Sequence, residues 1–163
     1  MKTYLILRIL LALHITGLVI MAGTTVIDYL TFKTFWKFAD DGDNRAALGL
    51  LPLMAKYGRL VRSGAAILFL TGIGMLVTVK GTWWEQLWFM VKMTLVILLV
   101  LNGMFVGNKQ GFKLREMIGD NAPDFIQRAT NIRGTLNRFY IIQLAIFIIV
   151  ILVSVIRFDK SRN

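Results

Sequence analysis

The sequence predicts an all-α integral membrane protein that folds as one antiparallel four-helix bundle over residues 1–163. Its residues are 56% apolar and its mean hydropathy is +0.65, whereas a soluble domain is roughly 45–50% apolar. The apolar residues are concentrated in four runs, and each run is long enough to cross about 30 Å of membrane hydrocarbon as a helix. The sequence contains no cysteine and one histidine, which excludes disulfides, thiol chemistry and any metal cluster that needs several histidines of one chain.

The first predicted span covers residues 5–27. Lys2 and Arg8 stand ahead of its main apolar stretch, so its start resembles that of a signal peptide. The apolar stretch is longer than the core of a normal signal peptide and it contains the polar His14. We therefore expect a retained membrane helix.

Three further spans follow, and two of them are expected to continue as amphipathic helices outside the membrane. Asn44 is a candidate cap for a helix over 45–59, with Leu48, Leu51 and Met54 on one face. Pro123 stands in the first turn of a second predicted extension, 123–138. The three spans are predicted at 60–79, 84–106 and 139–156.

The distribution of lysine and arginine predicts the orientation of the chain in the membrane. Twelve of these residues fall in the two long connections, six fall on the opposite side, and Lys92 lies within a span. The positive-inside rule therefore places the long connections in the cytoplasm and both termini outside. The same rule accounts for the net charge of +10, so we do not expect binding to nucleic acid, for which the sequence has no recognised motif.

His14 and Lys92 are the two ionisable residues that fall deep within predicted spans, where such residues are costly and commonly functional. Both helices begin at the outer surface, and both residues lie roughly 12–14 Å below it at 1.5 Å per residue. Residues at the same depth on the other two spans are Gly72 and Val150. Gly72 and Gly74 are therefore expected to leave space beside a layer formed by His14 and Lys92.

A haem site is one interpretation of this layer. A neutral imidazole is the commonest axial ligand of haem iron, so His14 is the predicted metal ligand, with Gly72 lining the space for the macrocycle of haem b. Lys92 could be a second ligand, a proton relay or a partner for a propionate. Arg8 and Arg157 are candidate propionate partners near the outer surface, and Met75 and Met93 are candidate thioether ligands.

Simpler interpretations of the same residues stay open. A lone membrane histidine often forms only a hydrogen bond to a neighbouring backbone group or hydroxyl, and a lysine can extend toward the interface. A transport or proton pathway is a third interpretation. Gly103, Gly107 and Gly111 predict a close helix contact at the inner end of the third span, and Asn102 predicts a hydrogen bond between helices.

The chain resembles a known family in several short motifs. It is similar to the HemJ-type protoporphyrinogen oxidases and the related CopD-like four-helix integral membrane proteins of bacteria, over about residues 5–107. The resemblance rests on Leu13–His14–Ile15, Ala22–Gly23, Arg62, Thr71–Gly72–Ile73–Gly74–Met75–Leu76, Trp84, Trp88–Phe89 and Lys92–Met93–Thr94–Leu95–Val96.

The resemblance implies a bacterial inner-membrane protein that binds haem through His14, with Lys92 as the characteristic lysine of the third helix. The chain departs from the family at two points. It has 27–33 where the family carries an arginine-containing segment, and Asn102 where the family commonly has a further histidine.

Two functions of different classes follow from the sequence. The first is a haem-binding inner-membrane redox protein with a porphyrin as the candidate substrate, in which Lys92 is the candidate catalytic residue. The alternative is a non-catalytic accessory subunit of a larger inner-membrane complex. In either case the expected partners are membrane lipid and either further copies of the chain or other membrane subunits.

Overall fold

The structure is a computed structural model that describes residues 2–79, 87–103 and 125–160. Within these ranges the chain forms four helices and no strand, so the predicted all-α class is confirmed for this part of the protein. The helices are α1 (Lys2–Asp40), α2 (Asn44–Thr78), α3 (Leu87–Asn102) and α4 (Phe125–Lys160).

Three of these helices are long and apolar enough to cross a membrane. The qualifying segments are Thr3–Asp40, Asn44–Thr78 and Ile132–Val155, whose most apolar windows have mean hydropathies of 2.3, 1.9 and 2.5. They contain the predicted span 5–27 and nearly all of the predicted spans 60–79 and 139–156. The described part of α3 is a shorter apolar helix that lies within the predicted span 84–106.

Helix α1 is longer than the sequence analysis predicts, because it continues beyond residue 27 as far as Asp40. Phe32, Phe35 and Trp36 are all buried on this continuation. The rings of Phe35 and Trp36 pack edge to face with their centroids 5.1 Å apart. This aromatic cluster holds the end of α1 in the core of its unit, so the segment forms a helix where we had expected a connection.

The predicted helix beginning near Arg45 is confirmed, with one change to its cap and one to its buried face. Asp43, and not Asn44, is the N-cap, and its side chain accepts a hydrogen bond of 3.0 Å from the backbone amide of Ala46. Leu51 is buried as predicted, but its partner on the buried face is Ala47. Leu48 is 43% exposed, because a position one residue along a helix is turned by about 100°.

The turn between α1 and α2 occupies residues 41–43. Gly42 has a φ of 79°, which a glycine adopts without steric cost and other residues rarely adopt. The adjacent acidic residues, Asp40, Asp41 and Asp43, are exposed. Among the described residues, no group of three or more histidine, aspartate or glutamate side chains is placed to hold a metal ion.

The chain divides into two compact units, Met1–Gln86 and Leu87–Asn163. In the first unit α1 and α2 form an antiparallel hairpin, in which residues at nearly equal distances from the turn face one another. Its tightest point is the crossing of Gly17 and Gly64: a Cβ added to Gly64 would lie 2.9 Å from the backbone nitrogen of Met21 and 3.0 Å from the carbonyl oxygen of Gly17. Small residues permit such close backbone approach.

In the second unit α3 and α4 pack against each other. The buried side chains of α4 recur at intervals of three and four residues, as expected for one face of a helix. They are Ile132, Leu136, Tyr140, Gln143, Phe147 and Val150. The predicted extension before residue 139 is therefore helical from Phe125 onward and carries a buried apolar face in its described part.

Candidate cofactor site around His14

His14 lies on the face of α1 that packs against α2. This face also carries Leu10, Gly17 and Met21, at intervals of three and four residues, and Gly17 and Met21 are buried. The imidazole itself is partly buried, and its Nδ1 lies 2.9 Å from Oγ1 of Thr71 on α2.

The hydrogen bonds of Thr71 determine which tautomer of His14 suits this contact. The Thr71 hydroxyl has one proton, and it donates to the carbonyl oxygen of Ile67 at 2.6 Å, with a longer contact of 3.2 Å to that of Leu68. Its oxygen can therefore act only as the acceptor toward His14, so Nδ1 carries the proton. In a neutral imidazole the lone pair is then on Nε2, the nitrogen that is suited to a metal.

Gly72 lies beside the imidazole, as the comparison of depths predicts. A Cβ added to Gly72 would lie 3.6 Å from Cε1 of His14, which is an ordinary van der Waals distance. The expectation for Gly74 is wrong in detail: Leu10 already occupies the space next to it, with Cδ2 at 3.1 Å from an added Cβ. Of these two glycines, Gly72 borders the histidine and Gly74 does not.

Thr71 is a residue of the candidate site that the sequence analysis does not single out. It is the first residue of an apolar motif, and His14 and Thr71 are nearly equally distant from the turn at Gly42. That equality was the available signal, since facing positions in a hairpin satisfy it. Gly64 is not singled out by the sequence for a different reason: no second glycine lies four residues away from it to indicate a helix contact.

The bond between His14 and Thr71 is also the interaction that the simpler interpretation of a membrane histidine expects. It satisfies the Nδ1 donor within the protein without any ligand. The same bond is typical of metal-ligating histidines, whose second nitrogen donates to a protein acceptor and fixes the ring. The geometry of Nδ1 is therefore compatible with both interpretations.

Lys92 belongs to α3 in the second unit, where it is partly buried. The neighbouring Met93 is partly buried as well. The shared pocket of His14 and Lys92 stays a prediction, because the two residues belong to separately described units. Val150, the residue expected at the same depth on α4, is buried within the second unit.

Of the two arginines that are candidate partners of the propionates, the structure describes the side chain of Arg8. Arg8 is exposed; its guanidinium donates a hydrogen bond to the hydroxyl of Tyr4 at 2.5 Å and lies 4.3 Å from the centre of that ring. Its contacts are thus made one turn before it on α1 and not at the imidazole. The side chain of Arg157 lies outside the described residues. Met75, a candidate thioether ligand, is buried in the hairpin.

Asn102 forms the predicted hydrogen bond between helices. Its Nδ2 donates to Oε1 of Gln143 at 2.8 Å and to the carbonyl oxygen of Phe139 at 3.4 Å. The contact predicted for the three glycines is not seen at Gly103, where an added Cβ would meet no described atom within 4 Å. Gly107 and Gly111 lie outside the described residues.

Comparison with known proteins identifies no relative of the chain. No protein-family profile, curated protein or solved structure matches the chain. The likeness to HemJ-type proteins thus stays a prediction from sequence motifs. Among the described residues, the imidazole of His14 is the group that could ligate haem iron. It is hydrogen-bonded to Thr71 and lies beside Gly72.

Proposed function

We propose that this chain is a four-span integral membrane protein that binds haem b, with His14 as an axial ligand of the iron. Three helices of suitable length and hydropathy support the membrane location. The exposed apolar side chains support it too, since Phe69 and Leu70 are each 68% exposed on α2. A lipid environment would cover such side chains without further protein.

The observation that carries the haem proposal is the hydrogen bond from His14 Nδ1 to Thr71 Oγ1. Because Thr71 uses its own proton toward Ile67, the bond selects the imidazole tautomer that ligates through Nε2 and fixes the plane of the ring. Gly72 keeps the neighbouring position on α2 free of a side chain. A haem held there would supply one-electron chemistry at its iron.

Three further residues have roles in this proposal. Lys92, at the depth of His14, is the proposed second ligand of the iron, a proton relay or a partner of a propionate. If a porphyrin is the substrate, Lys92 is also the candidate catalytic residue. Arg8 and Arg157 are the proposed partners of the propionates at the outer surface. A bacterial inner-membrane location with the long connections in the cytoplasm completes the proposal, and it rests on the charge distribution and on the likeness to HemJ-type proteins.

A matched pair of threonine variants tests the observation on which the haem proposal rests. Thr71→Val removes the acceptor of His14. Thr78→Val removes a hydroxyl that, like that of Thr71, donates to a carbonyl of its own helix, here that of Gly74 at 2.7 Å. We expect haem titrated into the purified full-length chain to bind about ten- to hundredfold more weakly to the first variant and with unchanged affinity to the second, since loss of the hydrogen-bonded partner of a metal ligand typically has this effect. Equal affinities of the two variants would contradict the proposal.

A non-catalytic accessory subunit is the second candidate. It is favoured by the fact that the bond to Thr71 satisfies the Nδ1 donor of His14 without a cofactor. In this case the exposed apolar faces of α1 and α2 would contact larger membrane subunits. Gentle solubilisation of the native membrane separates the candidates: stoichiometric copurification with other subunits, unchanged in His14→Ala, would favour the accessory role.

A further inference from the structure

The second unit contains a small cavity that the haem proposal does not use. It measures about 140 Å³ and is lined by three polar and two apolar side chains: Asn102, Thr135, Arg138, Phe139 and Ile142. An apolar cavity of about 150 Å³ holds a molecule the size of benzene, whereas sites for drug-sized ligands measure about 300–1,000 Å³. The cavity is therefore too small for a macrocycle and large enough for a compact polar group.

The lining is amphiphilic, and its polar side is cationic. Arg138 and Thr135 are one turn apart on α4 and both are exposed, so the cavity opens to the surface of the unit. Phe139 and Ile142 continue the same face toward the apolar end of the helix. Arg138 is the last charged residue before the uncharged run 139–156. A cationic group at the start of an apolar run matches the boundary between lipid headgroups and acyl chains.

The hydrogen bonds of Asn102 limit what it can offer to a ligand. Both protons of its amide nitrogen are directed into the protein, toward Gln143 and the backbone of Phe139. Its remaining hydrogen-bonding atom is the amide oxygen, which accepts. The cavity thus combines an anion-binding guanidinium and a hydroxyl with an acceptor suited to a hydroxyl group.

We propose that this cavity binds the headgroup of an anionic phospholipid that carries a hydroxyl, of which phosphatidylglycerol is the simplest probe. Arg138 and Thr135 would donate to the phosphate, the headgroup hydroxyl would donate to Asn102, and an acyl chain would lie over Phe139 and Ile142. Guanidinium suits phosphate because it offers two parallel N–H donors. The proposal depends on the membrane location but not on haem, so loss of the haem spectrum and loss of lipid binding are separate results.

Native mass spectrometry of the full-length chain in detergent tests the proposal, with dioleoylphosphatidylglycerol and dioleoylphosphatidylcholine as probes. We expect preferential retention of phosphatidylglycerol. Arg138→Gln should weaken its binding by about tenfold or more, because a charge-assisted hydrogen bond is lost. The matched control is Arg133→Gln, which removes the same charge from the same helix but lies about 140° around it and does not line the cavity. It should weaken binding by about fivefold at most, as expected for diffuse attraction.

Two further measurements keep the proposal open to refutation even if Arg138→Gln fails to fold. Thr135→Val should weaken binding of phosphatidylglycerol by about fivefold, since it removes one hydrogen bond and keeps the shape. Ile142→Trp should fill the cavity and abolish the preference. Equal losses in the variants of Arg138 and Arg133 would overturn the proposal in favour of diffuse electrostatics. Displacement of the lipid by millimolar inorganic phosphate would overturn it in favour of a simple anion site.

Discussion

The crossing of α1 and α2 at Gly17 and Gly64 makes a quantitative prediction about stability. A Cβ on Gly64 would stand 2.9 Å from the backbone nitrogen of Met21 and 3.0 Å from both the carbonyl oxygen of Gly17 and the Cβ of Met21. Two of these three atoms belong to the backbone, so they cannot rotate away. The helices must separate by about 0.5 Å to restore an ordinary contact of 3.4 Å or more.

Gly64→Ala should therefore destabilise the hairpin in two ways. Overpacking of a tight contact costs about 1–3 kcal/mol. The same separation, two turns along α2, would stretch the bond of 2.9 Å between His14 and Thr71 beyond the normal range and remove about 0.5–1.5 kcal/mol. These two losses sum to about 1.5–4.5 kcal/mol, and the better helix propensity of alanine offsets about 1 kcal/mol, so we expect a net loss of about 0.5–3.5 kcal/mol in the free energy of unfolding.

Two other glycines in the same hairpin provide matched controls. A Cβ on Gly23 in α1 or on Gly49 in α2 would meet no described atom within 4 Å. Alanine at these positions should be neutral or stabilise the helices by up to about 1 kcal/mol, because alanine is the better helix former. Gly17→Ala should be destabilising but milder than Gly64→Ala, since its added Cβ would lie 3.0 Å from the side-chain Cγ2 of Ile67 and 3.1 Å from two backbone atoms, the carbonyl oxygen of Gly64 and the nitrogen of Leu68.

Reversible unfolding of the purified variants in mild detergent, followed by circular dichroism, measures these differences. The reasoning predicts that Gly64→Ala is the least stable of the four variants and that the two controls are at least as stable as the parent chain. If Gly64→Ala unfolded together with Gly49→Ala, the close approach of the two helices at Gly64 would be refuted.

Three further predictions follow from other parts of the chain. Asn102→Leu should lower the free energy of unfolding by about 1–3 kcal/mol, because it removes the donor to the buried side chain of Gln143. A double-mutant cycle with Gln143→Leu should give a coupling energy close to this value, and a coupling energy near zero would contradict the prediction. Asp43→Ala should cost about 0.5–2 kcal/mol through loss of the cap on Ala46, measured by the same unfolding transition, and an unchanged transition would show that the cap is unimportant. Because the chain has no cysteine, Asp41→Cys gives a unique label at the tip of the turn; it should react with an impermeant maleimide only from the cytoplasmic side of membrane vesicles, and reaction from the outside would reverse the proposed orientation.

Much of the helical structure could be predicted because long apolar runs and capping residues report local preferences. The run of residues 5–27 predicts the first helix correctly, but its end at Asp40 depends on packing of Phe32, Phe35 and Trp36 in the core of the unit. Such tertiary contacts are not encoded in hydropathy. The predicted cap, Asn44, is one residue away from the observed cap, Asp43. The sequence does not distinguish them because Asp and Asn are almost equally good caps.

The site was predictable in its level but not in its contacts. Counting residues along the helices placed His14 and Gly72 at one depth, and the structure brings them together. Rotation about the helix axis is not fixed by depth. The equal distances of His14 and Thr71 from the turn indicate facing levels, but the hydrogen bond between their side chains and the filling of the space at Gly74 by Leu10 are shown only by the structure. For Lys92 the sequence predicts a depth within the third span, and its location in one pocket with His14 stays a prediction.

The most direct test of the central proposal is the haem content of His14→Ala. The full-length chain and this variant would be purified from haem-replete cells, and the Soret band and the pyridine haemochrome would be measured against protein concentration. The proposal predicts about one haem b per parent chain and a loss of nearly all haem from the variant, with the helical content by circular dichroism unchanged. A well-folded parent chain without a Soret band, or a variant that keeps its full haem content, would contradict it.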